Sequence, residues 1–319
     1  MQLITILGQT SSGKSDLAVN LAKIICQKKR VCIVGCDSRQ VYKGLNIGTG
    51  KVEGNWKFDQ KMNQKIFEFE SIPHFMIDFV DPQIDYTLQN YILDFYNLMT
   101  EIQTHFDFVI LAGGTGLYAK AIIEKIDLGI VKSDCISDYS DYKITLQNLG
   151  LKELQQRLNS IKIELNNSDY NNKVRLVSNL LKHQSIKQSW LSQSQYFDFK
   201  SQHLFAVKID QYKLQNKIKT RLQKRFDSGL LLESSQHMYL GQDKFLSLGL
   251  EYRQAWLYLN GKINKTELCQ NLSIQNLQYA KRQLTWLKKQ KNIVWIKNLE
   301  EIVEYIGSCN LANGPTIKL

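Results

Sequence analysis

Short apolar runs alternating with stretches of helical period organise the first half of this chain. Residues 3–7 (Leu-Ile-Thr-Ile-Leu), 31–34 (Val-Cys-Ile-Val), 75–80 and 106–111 are short, β-branched and aromatic, which predicts buried strands. Leu17, Leu21 and Ile24 then place an apolar stripe on a helix after the first run, and Leu88, Ile92, Phe95, Leu98 and Ile102 do so after the third. Strands alternating with helices predict an α/β fold with a doubly wound parallel sheet.

From residue 127 the pattern changes to Ser, Asp, Asn and Tyr, with one amphipathic piece from Leu146 to Ile161. That reads as a helical insertion over 127–200, dividing a first core segment (1–126) from its remainder (201–319). After a strand-like stretch at 204–209 the rest is patterned as helix, near 211–227, 230–240, 249–260 and 264–290, with Gly229, Gly241 and Gly261 as stops. A largely helical C-terminal half is therefore expected. No internal repeat or low-complexity tract interrupts it.

Charge divides along the same line. The net +11 arises wholly in the second half, because residues 1–150 hold 15 Lys/Arg against 17 Asp/Glu. Clustered cations gain affinity for polyanions by releasing counterions, so a nucleic-acid partner competes with a merely soluble basic surface. No apolar run reaches the roughly 18 residues of a membrane span, and no basic leader opens the chain. A cytoplasmic protein without membrane contact is expected. Six cysteines (Cys26, Cys32, Cys36, Cys135, Cys269, Cys309) show no metal-ligand spacing and read as reduced, mostly buried thiols.

Between the first strand and helix stands Gly8-Gln9-Thr10-Ser11-Ser12-Gly13-Lys14-Ser15, the G-x-x-x-x-G-K-S pattern of a phosphate-binding loop and the usual ATP-binding motif. Successive N–H groups would cradle a polyphosphate, Lys14 would add a point charge, and the Ser15 hydroxyl would reach a magnesium ion. Strand, loop and helix agree, which an ordinary Gly/Ser turn does not require. The strand at 106–111 ends without an aspartate, which counts against a motor or switch ATPase. Either a small-molecule kinase or a transferase using the loop for a pyrophosphate remains.

Asp37, following the second strand, then becomes the leading carboxylate near the reacting atoms, with a turn or cap role as its competitor. Gly113-Gly114-Thr115-Gly116 opens a helix where N–H groups and a hydroxyl can meet an anion, although a plain Gly-rich helix start explains it as well. Arg221 and Arg225, one turn apart, suit a diphosphate or merely a solvated basic face; Lys217 and Lys224 add charge there. Tyr279, Arg282, Gln283 and Trp286 share a helical face beside Lys281, Lys288, Lys289 and Lys291; core packing and a nucleic-acid surface both remain open. His74 reads as a core or turn residue.

Together these motifs resemble the tRNA dimethylallyltransferase (tRNA isopentenyltransferase) family. The blocks are GQTSSGKS at 8–15, DSRQVYKGLNIGTGK at 37–51, AGGTGLYAKAI at 112–122, and LGLEYRQAWLYLNG at 248–261 with YAKRQLTWLKK at 279–289. The resemblance implies transfer of a dimethylallyl group from its diphosphate to N6 of the adenosine just 3′ of the anticodon, releasing pyrophosphate. It implies dimethylallyl diphosphate and tRNA as partners, magnesium as cofactor, and a monomer.

By position, residues 8–15 would hold the diphosphate and Ser15 the metal. Asp37, Ser38 and Gln40 would meet the flipped adenosine, with Asp37 taking the N6 proton, and Arg39 between them would touch tRNA. Lys14, Thr115 and Arg225 or Arg221 would complete the catalytic set, and Arg175, Tyr252, Lys281 and Arg282 would join Asp37–Gln40 and Thr115 in touching tRNA. Gln9 replaces the family's usual proline, and Ser178 stands where the helix around Arg175 usually carries a second arginine. The segment before that helix is short, so the insertion is expected to be reduced. A small-molecule P-loop kinase and a non-catalytic RNA-binding relative are the alternatives.

Overall fold

The computed structural model describes residues 1–126, 130–131, 136–187, 191–192 and 196–312. Its centre is β1 (Gln2–Gly8), buried on both faces because Ile4 and Ile6 point into one apolar cluster while Leu3, Thr5 and Leu7 are buried on the other side. From it the chain passes through residues 9–13 into α1 (Lys14–Ile25), then β2 (Val31–Gly35). A hairpin follows, β3 (Asn55–Asp59) and β4 (Gln64–Phe69), then β5 (Ile72–Phe75), α2 (Leu88–Ile102), β6 (Phe108–Gly113) and α3 (Gly116–Ile123). Thr87 and Asn90 cap α2 reciprocally, which fixes where that helix starts.

The chain divides into two compact units, residues 1–124 with 197–319, and residues 125–196. The smaller unit contains β7 (Ile130–Val131), α4 (Ile136–Asn148), α5 (Leu151–Ser160), α6 (Asn167–Tyr170), α7 (Lys173–Lys187) and β8 (Leu191–Ser192), which pairs antiparallel with β7. Its own core is leucine-rich: Leu146, Leu154, Leu158, Leu176 and Leu180 are all buried. The single amphipathic piece expected from Leu146 to Ile161 is two helices. The chain breaks at Gly150, whose N–H is taken by the Glu153 carboxylate at 2.7 Å.

The larger unit resumes with β9 (Gln202–Val207), then α8 (Gln211–Asp227), α9 (Leu230–Gln236), a short 3-10 turn at Met238–Leu240, α10 (Gln242–Ser247), α11 (Leu250–Leu259), α12 (Lys265–Leu287), β10 (Val294–Ile296) and α13 (Leu299–Ala312). The expected helical half is present, and Gly229, Gly241 and Gly261 all follow helix ends with positive φ.

The main sheet runs β10-β9-β1-β6-β2-β5-β4-β3, parallel from β10 to β5. It is thus the expected doubly wound core with an unforeseen antiparallel edge, because β4 and β3 fold back on β5. Every β3 residue but Asp59 is exposed, so the hairpin shows no buried alternation for a sequence reading to detect. The apolar run 75–80 also departs from expectation. Only Ile72–Phe75 is strand; Met76 and Asp78 turn left-handed (φ 55° and 54°), and Asp78 instead supports Lys51, the Gly44 N–H and Trp56 Nε1.

Candidate active site

The carboxyl ends of β1, β2 and β6 open into a cavity of about 1070 Å³ whose walls come wholly from the larger unit. Loop 9–13 forms one wall. Gly13 adopts φ 91° to deliver the chain into α1, and Lys14 and Ser15 stand at the start of that helix, facing the cavity. Buried among these walls, Lys14 is pushed down from its ordinary 10.5 to about 8; desolvation dominates, and the nearby Asp37 carboxylate works against it. The Ser11 and Ser12 hydroxyls are buried with no hydrogen-bond partner among the described residues.

The loop after β2 brings Asp37 to the same place. Its Oδ1 accepts the Arg39 N–H at 2.9 Å, which leaves Oδ2 free to face the cavity. A β-carbon built on Gly114 would lie 3.6 Å from Asp37 Oδ2 and 3.7 Å from Lys14 Cε, so carboxylate and lysine both approach one point above that glycine. The approach of the two loops demands glycine at 113 as well, where a β-carbon would meet the Cys36 carbonyl oxygen at 1.9 Å. The thiol of Cys36 is pushed up to about 12 by burial and is inert. Cys32 is buried too, but Cys26 and Cys269 are exposed, so burial of the cysteines is less general than expected. Cys135 lies outside the described residues.

Thr115 and Gln40 line the cavity, but Thr115 Oγ1 and Gln40 Nε2 are engaged. The Ser38 N–H donates to Thr115 Oγ1 at 3.0 Å, and Gln40 Nε2 donates to the carbonyls of Thr49 and Gly50. The 46–50 turn is itself held by the buried Glu233, whose carboxylate accepts the N–H groups of Asn46, Ile47 and Gly48 at 2.8–3.1 Å. Tyr252 corrects the sequence reading: it is 1% exposed, its hydroxyl donates to Glu233 at 2.7 Å, and its ring fills the space over Gly48. An aromatic inside a functional block is here a core residue.

Across from the loop, α8 presents a polar stripe, since Asn216, Lys217, Thr220, Arg221, Lys224 and Arg225 recur at i, i+1, i+4, i+5, i+8 and i+9. A β-carbon on Gly13 would sit 3.7 Å from Lys217 Nζ, which makes Lys217 the α8 cation beside the phosphate loop. Arg221 Nη2 donates to Asn276 Oδ1 at 3.0 Å and its Nε is buried without a partner. Burial, then the charge of Arg225, lowers Arg221 to about 10, while Glu251 and Asp37 oppose the shift. The guanidinium of Arg225 is paired with the Glu251 carboxylate.

The aromatic and basic helix at 279–289 serves both readings offered for it. Gln9 Nε2 donates to the Ala280 carbonyl at 3.0 Å, and Gln283 accepts the Thr10 N–H at 2.6 Å while donating to the Gly114 carbonyl at 2.8 Å. Gln283 therefore clips the phosphate loop to the Gly-rich turn, and Trp286 packs over Gly116. Arg282 lies 5.8 Å from the Tyr279 ring and lines the cavity with Arg39 and Arg253, whereas Lys281 is exposed beside it with Lys289. Sequence reasoning missed the individual roles of Gln283, Glu233, Asn276 and Arg253. Apart from the Leu272 carbonyl for Asn276 and the Leu246 carbonyl for Arg253, their partners are 19 to 273 residues away in sequence, so no local pattern announces them. Arg175 lies on α7 in the smaller unit, paired with Asp169, with Ser178 one turn further along. His74 is buried and its Nδ1 lies 2.8 Å from the Ile72 carbonyl oxygen, a core residue as expected.

A family model described as IPP transferase matches residues 40–290. The chain is 33% identical over 302 residues to a tRNA dimethylallyltransferase 1 of Syntrophus aciditrophicus, covering 92% of this chain and 93% of that one. It is 32% identical over 291 residues to the enzyme of the same name from Azobacteroides pseudotrichonymphae, covering 90% and 89%. Among solved structures, the tRNA isopentenylpyrophosphate transferase of Bacillus halodurans superposes with a TM-score of 0.63 at 25% identity, covering 96% of each chain. A eukaryotic dimethylallyltransferase captured acting on tRNA gives 0.69 at 19% identity over all of this chain and 81% of that one, a likeness of fold.

Proposed function

This chain belongs to the IPP transferase family and is a transferase that prenylates tRNA, and from that premise we propose that it moves a dimethylallyl group from dimethylallyl diphosphate to N6 of the adenosine 3′-adjacent to the anticodon. Neither a small-molecule kinase nor a non-catalytic RNA-binding protein finds support among these relatives. The observation carrying the proposal is the closeness of Asp37 Oδ2 and the Lys14 side chain, which lie 3.6 Å and 3.7 Å from one point above Gly114.

The reaction forms a bond from N6 to C1 of the allyl group and breaks the bond from C1 to the diphosphate oxygen. The electron pair leaves with pyrophosphate, and the N6 proton passes to Asp37. An allylic diphosphate departs readily once its charge is met, so stabilising the leaving group matters more than a strong base. In this reading residues 8–15, Lys14 and Arg221 hold the diphosphate, with Lys217 beside them. Their buried, unpartnered atoms, Ser11 Oγ, Ser12 Oγ and Arg221 Nε, support it. A hard cation such as magnesium fits the oxygen donors facing the cavity, Ser15 and the carboxylates of Asp16 and Asp37. It would neutralise part of the charge on the departing pyrophosphate.

The acceptor base must leave its stack to reach N6, at a cost of a few kcal/mol that contacts to the RNA backbone offset. Arg39, Arg253 and Arg282 on the cavity wall, with Lys281 outside it, suit that task. In this reading the protein acts as a monomer in the cytoplasm, where tRNA is found. No helix among the described residues is long and apolar enough to cross a membrane. The test is incubation with dimethylallyl diphosphate, magnesium and unmodified tRNA, followed by nucleoside mass spectrometry. Prenylated adenosine from the anticodon loop is expected; ATP turnover without tRNA, and no prenylated nucleoside, would overturn the proposal.

A further inference from the structure

Glu251 is a buried carboxylate in the wall of a cavity that must accept a diphosphate, where a negative charge should be a handicap. Its surroundings explain its presence. Oε1 of Glu251 accepts from Arg225 Nη1 and, at 3.3 Å, from Asn276 Nδ2. The same Nδ2 donates to the Leu272 carbonyl at 3.0 Å, and Asn276 Oδ1 accepts from Arg221 Nη2 at 3.0 Å. Asn276 is 2% exposed, so its amide is held by protein partners.

This arrangement has one orientation. Two acceptors, a carboxylate and a carbonyl, lie on the side of the Asn276 nitrogen, and one donor, a guanidinium, lies on the side of its oxygen. Turning the amide over would oppose oxygen to oxygen and N–H to N–H, leaving buried groups unpaired. Of the three charges, Arg225 and Glu251 cancel, and the remaining cation is Arg221, which lines the cavity together with Lys14 and Asp37. Without Arg225, the Glu251 carboxylate would be free to draw Arg221 away from the cavity.

We propose that Asn276 is a positioning residue that aims Arg221 at the leaving diphosphate, with Glu251 fixing the orientation of its amide and Arg225 acting as the counter-ion of Glu251. Arg225 lines the cavity too, and its Nε is likewise buried without a partner among the described residues, but its charge is neutralised by Glu251, so Arg221 is the arginine with net charge left for the ligand. The inference rests on the diphosphate reading of the cavity.

The test measures pyrophosphate binding by calorimetry, together with separate KM values for dimethylallyl diphosphate and tRNA. Asn276→Ala is expected to weaken pyrophosphate binding and raise the KM for dimethylallyl diphosphate about tenfold, with the KM for tRNA within about twofold, the scale of one lost charged hydrogen bond. In an Arg221→Ala background the same substitution should change pyrophosphate binding less than about twofold, because its partner is already gone. Glu251→Gln, which keeps an acceptor for Asn276, should bind pyrophosphate within about threefold of wild type, and Glu251→Ala should reproduce Asn276→Ala. Losses that multiply independently in the double variant, a tRNA KM raised as much as that of the prenyl donor, or equal losses in Glu251→Gln and Glu251→Ala overturn the proposal. Should Asn276→Ala fail to fold, the two Glu251 variants decide alone. A wild-type chain that binds no pyrophosphate would sink the diphosphate reading itself, an outcome distinct from binding in wild type with independent losses.

Discussion

Lys14 is the residue whose charge state ties the cavity to its ligand most directly. Desolvation lowers it to about 8 in the free protein, from an ordinary 10.5. At that value it is about 90% cationic at pH 7 and about 10% cationic at pH 9. If the cation is what a diphosphate binds, affinity for inorganic pyrophosphate should fall about tenfold between those pH values. Lys14→Arg, which stays charged throughout, should lose no affinity from this source. Calorimetry in buffers of different ionisation enthalpy gives a second reading. At pH 9, wild type should take up about 0.9 proton more per pyrophosphate bound than Lys14→Arg, and at pH 7 about 0.1 more, a difference from which the ligand's own titration cancels. Stability moves in the opposite sense: a lysine lowered on folding leaves the unfolded chain holding more protons between pH 8 and 10.5, so this group's contribution to stability rises with pH across that window. Equal pH dependence in wild type and Lys14→Arg, with no differential proton uptake, would refute the reasoning.

Three other substitutions probe separate parts of the site. Asp37→Ala should reduce single-turnover prenyl transfer by about a hundredfold or more while tRNA affinity in filter binding stays within about twofold, since the carboxylate acts on the reacting atoms; turnover within tenfold of wild type would remove it from the mechanism. Reversing Lys281 and Arg282 to Glu should weaken tRNA binding and flatten its salt dependence by about one to two phosphate contacts; an unchanged slope would assign the pair to packing. Glu233→Ala strands three backbone N–H groups and the Tyr252 hydroxyl, so urea unfolding should show a loss of about 2–4 kcal/mol; a loss under 1 kcal/mol would mean that the 46–50 turn does not depend on it.

What the sequence made legible was local. The phosphate loop, Asp37 after β2 and the Gly-rich turn before α3 are each written in fewer than ten consecutive residues, and the parallel core follows from where strands end. What escaped was set by tertiary contact. The β3–β4 hairpin lacks a buried alternation, and the run at 75–80 looks like strand because its apolar content hides two left-handed residues. Tyr252 was read by its motif, but burial decides its place, and the orientation of Asn276 or Gln283 depends on partners from distant segments. Arg221 and Arg225 are indistinguishable as a repeat one turn apart; their tertiary partners separate them, Asn276 at the first and Glu251 at the second.

Gln9 and Thr10 lie near the beginning of the chain, and the groups that fasten them, the Ala280 carbonyl and the Gln283 amide, come 271 and 273 residues later. During synthesis, then, the phosphate loop emerges well before the helix that fastens it. A chain that stops before α12 lacks the groups that tether the cradle, so incomplete products carry the signature sequence without the contacts that hold it in place.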